Sequence, residues 1–73
     1  MIQRKFVKVT EHYGYYRVDY SYYSGFHLYF ICRIVDGKRD NIVITHRSKW
    51  QDARKECKYL EKLNEKKFKE ERK

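Results

Sequence analysis

Proline is absent from this sequence, and glycine occurs only three times in 73 residues. Without proline or a run of small polar residues there is no recognisable linker, so we expect one continuous domain. No apolar stretch approaches the roughly 20 residues that a membrane-spanning helix needs, and no charged start with a following hydrophobic stretch resembles a signal peptide. These absences predict a soluble, cytoplasmic protein that does not bind membranes.

Cysteine and histidine are also scarce. Cys32 and Cys57 fit no zinc-finger spacing, and we expect both to be reduced and buried, because cytosolic disulfides are rare; a disulfide or a shared metal is the alternative. His12, His27 and His46 lie in separate segments without the spacing of a catalytic triad or a metal site. We therefore expect no cofactor, no metal and no enzymatic activity, although a small ribonuclease using general acid–base chemistry is a minor alternative.

Tyrosine and positive charge are abundant. Between Tyr13 and Phe30 there are nine aromatic residues in eighteen positions, seven of them tyrosines, and the formal net charge is +8. In so small a domain, large aromatic residues serve as bulky core side chains. Bases also stack on aromatic rings while lysine and arginine attract phosphates, so the same composition suits a nucleic-acid-binding sheet.

The glycines divide residues 2–46 into four candidate strands. Asp36-Gly37 is a strong signal for a two-residue hairpin turn, because both positions tolerate positive φ. The first candidate, residues 2–10, alternates poorly and is expected at an edge, and the last covers residues 41–45. The middle two alternate with a period of two, as half-buried strands do.

This alternation assigns side chains to two faces of the sheet. We expect the even-numbered face to form the core and the odd-numbered face to remain open for a partner. The even-numbered residues are Tyr16, Val18, Tyr20, Tyr22, Phe26, Leu28, Phe30, Cys32 and Ile34. The odd-numbered candidates for binding are Tyr15, Arg17, His27, Tyr29 and Arg33, with Tyr23 beside them.

Helical periodicity begins at Ser48, which with Gln51 has the spacing of a capping box. The predicted helix presents one apolar stripe to the sheet: Trp50, Ala53, Cys57, Leu60 and Leu63. The expected fold is therefore α+β, an antiparallel sheet of three to four strands with one C-terminal helix packed on one face. Residues 1–63 would form this domain, and residues 64–73 a charged helix extension or a frayed tail.

Positive charge is concentrated in the helical part. Residues 46–73 hold eleven lysines or arginines against six acidic residues, compared with seven against four in residues 1–45. Arg54, Lys58 and Lys62 would form a ridge at i, i+4 spacing. Arg47 and Lys49 would join Arg54 near the helix start, where the dipole favours a phosphate. Lys38 and Arg39 in the hairpin would extend the basic part of the open sheet face.

These features predict a small, basic, non-enzymatic protein that binds DNA or RNA. The alternative is a protein that inhibits a host enzyme or defence complex, binding an acidic host protein through exposed aromatic and basic residues. The sequence leaves the oligomeric state undetermined, including a dimer formed through an edge strand.

Two resemblances bear on this prediction. The stretch GYYRVDY at 14–20, with THRSK at 45–49 and Ala53, resembles the arm-site DNA-binding domain of phage and transposon integrases. That resemblance implies a three-stranded sheet that enters the major groove, supported from behind by the helix, with Tyr15, Arg17, Arg33 and Lys38 facing DNA. Small phage accessory proteins are similar in having such strands followed by a charged helix, so we expect an accessory or regulatory factor of a phage or mobile element.

The second resemblance is to the C-terminal part of a double-stranded RNA-binding domain. Ser48-Lys49 and Ala53-Arg54 are similar to the step by which that family's last helix grips phosphates, and Cys57 and Leu60 occupy its apolar positions. The family's first helix has no counterpart here, and Ser48 and Ala53 are one residue further apart than its usual pattern.

Overall fold

Five strands and two helices make up the part of the chain that the computed structural model describes, residues 2–20 and 25–71. They are β1 Ile2–Gln3, β2 Val7–Lys8, β3 Tyr13–Asp19, β4 His27–Val35, β5 Lys38–Arg47, α1 Trp50–Leu63 and α2 Glu65–Glu71. The strands pair antiparallel, with β4 between β3 and β5, and with β1 and β2 both along the outer side of β3. The predicted α+β fold, an antiparallel sheet with a C-terminal helix packed against it, is confirmed.

The turn between β4 and β5 is the hairpin that the sequence predicts. Asp36 and Gly37 have φ values of 52° and 76°, and Val35 pairs with Lys38 across them. Positive φ at both central positions gives the twist that the flanking strands need. The strand that follows is longer than predicted, since β5 runs for 10 residues, and its pairing with β4 contains register shifts on either side of Cys32.

The N-terminal segment forms two short strands instead of the single strand predicted over residues 2–10. Between β1 and β2, Phe6 packs its ring above Gly14. A Cβ atom on Gly14 would collide with that ring and with the carbonyl oxygen of Val7. Position 14 therefore requires glycine because no side chain fits there.

The helices cover the face of the sheet opposite to the one predicted. The buried core cluster joins odd-numbered strand residues to helix residues: Tyr13, Tyr29, Ile31, Ala53, Cys57 and Phe68. Tyr16 and Tyr20, which the sequence assigns to the core, lie half-buried on the other face. The positions of Tyr22 and Tyr23 fall outside the described residues.

Arginine side chains explain why this prediction was wrong. The Arg47 guanidinium pairs with Glu56 at 2.9 Å, and that of Arg33 lies 5.0 Å from the centroid of the Phe68 ring. Long basic side chains bury their aliphatic stems and keep their charged ends at the margin of a contact. The sequence prediction took the face with more apolar residues as the core face, and it treated every arginine as exposed. It therefore assigned the core to the wrong face of the sheet.

The start of α1 also differs from the prediction. Lys49 is the N-cap residue and makes no side-chain capping bond, so the capping box expected at Ser48 and Gln51 is wrong. The first turn is closed by the main chain, since the Ala53 N–H donates to the Lys49 carbonyl at 3.1 Å. The start of the helix is thus stabilised by backbone hydrogen bonds and by the packing of residues further along α1.

Only the middle of the predicted apolar stripe packs on the sheet. Ala53 and Cys57 are fully buried, and Leu60 packs against the core cluster. Trp50 and Leu63, at the two ends of α1, are 45% and 61% exposed. The two small residues at the centre of the contact allow the helix to approach the rings of the sheet closely.

The segment after residue 63 forms a second helix, α2, through residue 71. Its single aromatic residue, Phe68, is 4% exposed and belongs to the core cluster. At the junction of the helices, the Asn64 amide donates to the Tyr13 hydroxyl oxygen at 3.1 Å and to the Leu60 carbonyl at 3.0 Å. The core therefore includes a side chain from the segment in which the sequence predicts only a charged extension or a frayed tail.

The two cysteines are buried free thiols, as predicted. Cys32 belongs to an even-numbered position of β4, and Cys57 packs from α1 against the odd-numbered face. Burial raises the pKa of both thiols, to about 12 at Cys57. Neither thiol has the character of a nucleophile.

Candidate functional site

The face of the sheet turned away from the helices carries aromatic and basic side chains, and we call it the open face. It comprises even-numbered positions of β3 and β4, their register partners on β2 and β5, and two rings at the strand ends: Lys8, Tyr16, Val18, Tyr20, Phe26, Leu28, Phe30, Cys32, Ile34, Arg39, Val43 and His46. Val18, Cys32 and Ile34 are buried by their neighbours. The rings and the cations therefore form its outer surface.

A row of three rings crosses the open face from β3 to β5. Tyr16, Phe30 and His46 are direct register partners, so their side chains lie at one level of the sheet. The ring centroids are 5.6 Å apart between Tyr16 and Phe30 and 6.0 Å between Phe30 and His46. The first two rings are half-buried and the histidine is exposed. The ring planes are tilted against each other by 36° and 58°, so the row presents three separate ring faces across three strands.

Arg39 lies across the open face toward this row. Arg39 pairs in register with Ile34, which is four residues further along β4 than Phe30 of the row. Its guanidinium carbon nevertheless lies 4.6 Å from the centroid of the Tyr16 ring. The side chain therefore passes over Cys32, which is 1% exposed. Burial is the main cause that raises the pKa of the Tyr16 phenol, so this hydroxyl stays neutral at physiological pH. Arg39 places a planar cation on the ring while remaining exposed.

A second pair of rings lies further along the same face. Tyr20 and Phe26 have centroids 5.4 Å apart, and the Tyr20 N–H donates to the Phe26 carbonyl at 3.1 Å. Phe26 is 47% exposed. Tyr20 follows Tyr16 by four residues, which corresponds to about 13 Å along a strand. The open face thus offers two separate aromatic stations with the smaller side chains of Val18 and Leu28 between them.

Two basic side chains stand at the borders of the open face. Lys8 stands at the β2 border and Arg39 at the β5 border, and none of the register partners named above is acidic. Asp19, on the other face, is neutralised by ion pairs with Arg4 at 2.8 Å and Arg17 at 2.7 Å. Hydrogen bonds from Arg4 and then from Arg17 lower the pKa of the Asp19 carboxyl. Asp40 follows Arg39 in the chain and its charge acts on the Cys32 thiol, so an anion at the open face would meet Lys8 and Arg39 with one carboxylate nearby.

The sheet residues predicted to bind a partner lie instead on the helix-covered face. Tyr29 is 7% exposed, and the rings of Tyr15 and His27 meet it edge-on at 5.6 Å and 5.4 Å. Arg33 lies beside Phe68 of α2, and Arg17 pairs with Asp19 at 2.7 Å. The prediction that the odd-numbered face is open is therefore wrong, whereas the binding roles of these residues, including the DNA contacts implied by the integrase resemblance for Tyr15, Arg17 and Arg33, stay predictions.

The basic residues predicted near the helix start are not gathered into one site. Arg47 pairs with Glu56 and also donates to the Thr45 hydroxyl at 2.9 Å. Lys49 is exposed, and Arg54, also exposed, holds its guanidinium 5.8 Å from the centroid of the Trp50 ring. Lys38, in the hairpin, is also exposed. It is far in the sequence from the residues at the helix start and adjacent to Arg39.

Lys58 and Lys62 are exposed on α1, as the predicted ridge requires, and they line a groove of about 440 Å³. Acidic side chains share this groove, with Glu11, Glu61 and Glu65 among its lining residues. The lysines are thus interspersed with carboxylates. The groove is a weaker anion site than the density of lysine in the sequence indicates.

Sequence reasoning missed the ring row. It placed Tyr16 and Phe30 in the core, and it assigned His46 to no site. One signal pointed the other way: a tyrosine has a hydroxyl that favours a position at the rim, so a stretch rich in tyrosine is poor material for the centre of a core.

Comparison with known protein families, with curated proteins and with solved structures finds no significant match to this chain. The two family resemblances therefore stay predictions. No helix among residues 2–20 and 25–71 combines the length and the apolar character needed to cross a membrane.

Proposed function

We propose that this protein binds single-stranded nucleic acid on the open face, without catalysing a reaction. The observation that carries the proposal is the row Tyr16–Phe30–His46, which lies on the uncovered side of the sheet with the Arg39 guanidinium above its first ring. Exposed aromatic side chains on a sheet are the means by which several protein families stack unpaired bases.

The arrangement of rings and charges supports a polymeric ligand. Two stations, the ring row and the Tyr20–Phe26 pair, would each take a base, and the smaller residues between them leave room for the backbone. Lys8 and Arg39, at opposite borders of the open face, would contact phosphates. The net charge of +8 adds a long-range attraction for any polyanion.

The geometry favours single strands over duplexes. The bases of a duplex are stacked on each other, so their faces are closed to protein rings. Here Tyr16 and Phe30 are half-buried in the open face, and their ring planes are tilted by 36°. Half-buried rings on a sheet surface stack on bases that are already unstacked.

A matched pair of arginine variants tests the proposal. Arg39→Ala and Arg54→Ala each remove an exposed guanidinium held over an aromatic ring, one on the open face and one on α1. Fluorescence anisotropy with labelled oligo(U), oligo(dT) and a duplex of equal length would give the affinities over a range of salt concentrations. We expect only Arg39→Ala to weaken single-strand binding, and to reduce the salt slope by about 0.7 for one lost phosphate contact.

Variants of two aromatic residues give a second test of the proposal. Tyr16→Leu should cost about 1–3 kcal/mol of binding free energy if a base stacks there, while Tyr59→Ala, which removes a ring 59% exposed on α1, should leave the affinity unchanged. Loss of binding in Arg54→Ala with normal binding in Arg39→Ala would overturn the assignment to the open face and would support the helix ridge.

The alternative function, binding to an acidic host protein, rests on the exposed apolar members of the same surface, such as Phe26. Aromatic anchors of this kind also dominate protein interfaces. Salt distinguishes the two, because nucleic-acid binding falls steeply with ionic strength. Capture of one specific protein at high salt, with no affinity for any oligonucleotide, would favour the alternative.

A further inference from the structure

The Arg39 guanidinium is held over the Tyr16 ring, 4.6 Å from its centroid, while its hydrogen-bond donors stay unused. Within residues 2–20 and 25–71, no hydrogen bond or ion pair joins this guanidinium to another residue. Three other arginines differ in this respect. Their guanidinium groups donate to carboxylates, from Arg4 and Arg17 to Asp19 and from Arg47 to Glu56. The N–H groups of Arg39 are therefore available to a ligand.

Phe30 is the next ring of the row, and a base stacked on it would lie beside Arg39. The centroids of Tyr16 and Phe30 are 5.6 Å apart, and their planes are inclined by 36°. Stacked atoms lie about 3.5–4 Å apart, so a base on Phe30 would lie at a height similar to that of the guanidinium above Tyr16. One edge of the base would then face the N–H groups at hydrogen-bonding distance, about 2.9 Å.

We propose that Arg39 selects guanine at the ring row, an inference that rests on the proposed function and adds a base preference to it. A guanidinium offers two parallel N–H donors, and one edge of guanine offers two acceptors, O6 and N7, with matching geometry. Adenine has one acceptor and one donor on the corresponding edge. A pyrimidine such as thymine has there a single acceptor, O4. Either base would leave a donor of Arg39 unpaired.

Tyr16 serves as a platform in this arrangement. Stacking on the ring orients the plane of the guanidinium before the base arrives, which reduces the side-chain freedom lost on binding. Asp40 lies nearby, since its charge acts on the Cys32 thiol over which the Arg39 side chain passes. A base edge carries no net charge, so this carboxylate opposes a base less than it opposes a phosphate. With five N–H groups, Arg39 has donors for a base edge and for a phosphate together.

Fluorescence anisotropy with single strands that differ in one base tests this selection. Each strand is oligo(U) with a central guanosine, inosine, 7-deazaguanosine or adenosine, and an equivalent DNA series presents the same base edges. We expect the guanosine and inosine strands, which both carry O6 and N7, to bind at least about fivefold more tightly than the adenosine strand. 7-Deazaguanosine, which lacks N7, should lose most of this advantage. The ratio should stay constant as salt rises, because no charge is involved in the contact with the base edge.

Arg39→Lys is the matched variant, because lysine keeps the positive charge but lacks the planar pair of donors. It should bind the four strands with nearly equal affinity. Arg54→Ala, which removes the guanidinium held over the Trp50 ring on α1, should keep the full preference for guanine. Circular dichroism would show that both variants are folded.

The possible outcomes distinguish guanine selection from the proposed function. Equal binding of all strands by the wild-type chain, together with weaker binding by Tyr16→Leu, would overturn guanine selection and leave binding on the open face intact. A preference that persists in Arg39→Lys would overturn it as well. So would tighter binding of a strand with a central cytidine, whose O2 and N3 form another pair of acceptors. Failure of every strand to bind would overturn both.

Discussion

The imidazole ring of His12 lies flat against the phenyl ring of Phe68, with 3.8 Å between the centroids and 12° between the planes. Its Nδ1 atom is 2.7 Å from one carboxylate oxygen of Glu61, and its backbone N–H donates to the other at 2.8 Å. The turn before β3 is thereby attached to α1 through Glu61 and to α2 through Phe68. This contact connects the sheet to both helices.

Phe68→Ala should destabilise the protein strongly, because it empties a buried position between His12 and Tyr13. Removal of a buried phenylalanine side chain costs about 3–5 kcal/mol, and a domain of this size has little more than that. Urea unfolding followed by circular dichroism would measure the loss. Leu63→Ala, at a residue 61% exposed at the end of α1, is the control and should change the free energy of unfolding little. Equal stability in the two variants would show that Phe68 does not pack in the core.

The stability of the protein should decrease in acid through Glu61. Burial acts to raise the pKa of this carboxyl, but hydrogen bonds from His12 and Thr10 outweigh it and lower the pKa below the ordinary value of 4.5. A group with a lowered folded-state pKa stabilises the fold above its unfolded pKa, and that contribution is lost as pH falls through the folded value. Unfolding free energies measured between neutral pH and pH 3 should therefore fall less steeply for Glu61→Gln than for wild type.

The matched control for this acid effect is Glu70→Gln, which removes an exposed carboxylate from α2. It should retain the wild-type dependence on pH. If Glu61→Gln shows the wild-type slope as well, the contact with His12 does not form in solution.

The native protein should be inert toward thiol reagents. The pKa of Cys57 is raised to about 12 by burial, and burial also raises that of Cys32, so both are protonated at pH 8 and shielded from solvent. Ellman's reagent should release no rapid colour from the native chain and should titrate both thiols after denaturation. Rapid reaction of either cysteine in the native state would contradict the burial described here.

Gly14→Ala should destabilise the sheet, although alanine is a small addition. The new Cβ atom would meet the Val7 carbonyl oxygen and the Phe6 ring, so β2 would have to move away from β3. Overpacking of this type costs about 1–3 kcal/mol. Adding Phe6→Ala should restore only part of the loss, because the clash with the main chain persists. Thermal unfolding of the two variants would measure both effects, and full recovery in the double variant would contradict the main-chain clash.

The elements that the sequence predicts well are those determined by neighbouring residues. The hairpin at Asp36-Gly37 depends on two adjacent residues that tolerate positive φ, and the existence of α1 depends on the spacing of Ala53, Cys57 and Leu60. Both are present where they were expected. The exact start of α1 was predicted wrongly, because the position of a helix end also depends on how the helix packs.

The covered face of the sheet could not be predicted, because rings occur on both faces and the choice depends on contacts between distant residues. Arg47 finds Glu56 on α1, and Arg33 finds Phe68 on α2, in a segment that is otherwise charged. Neither contact leaves a local pattern. The candidate site was chosen from the predicted open face, so it was misplaced together with that face. Of the residues predicted for the sheet site, the structure places Arg39 on the open face. Its neighbours there, Tyr16, Phe30 and His46, are identified by the strand register.

The order of the strands has a consequence for folding kinetics. β3, β4 and β5 follow one another along the chain, whereas the hydrogen bond between His12 and Glu61 joins residues 49 positions apart. Closing so long a loop costs entropy before its contacts form. We therefore expect the hairpins to be present in the transition state and the helices to dock afterwards. Substitutions at His12 should then accelerate unfolding in stopped-flow experiments while leaving the folding rate nearly unchanged.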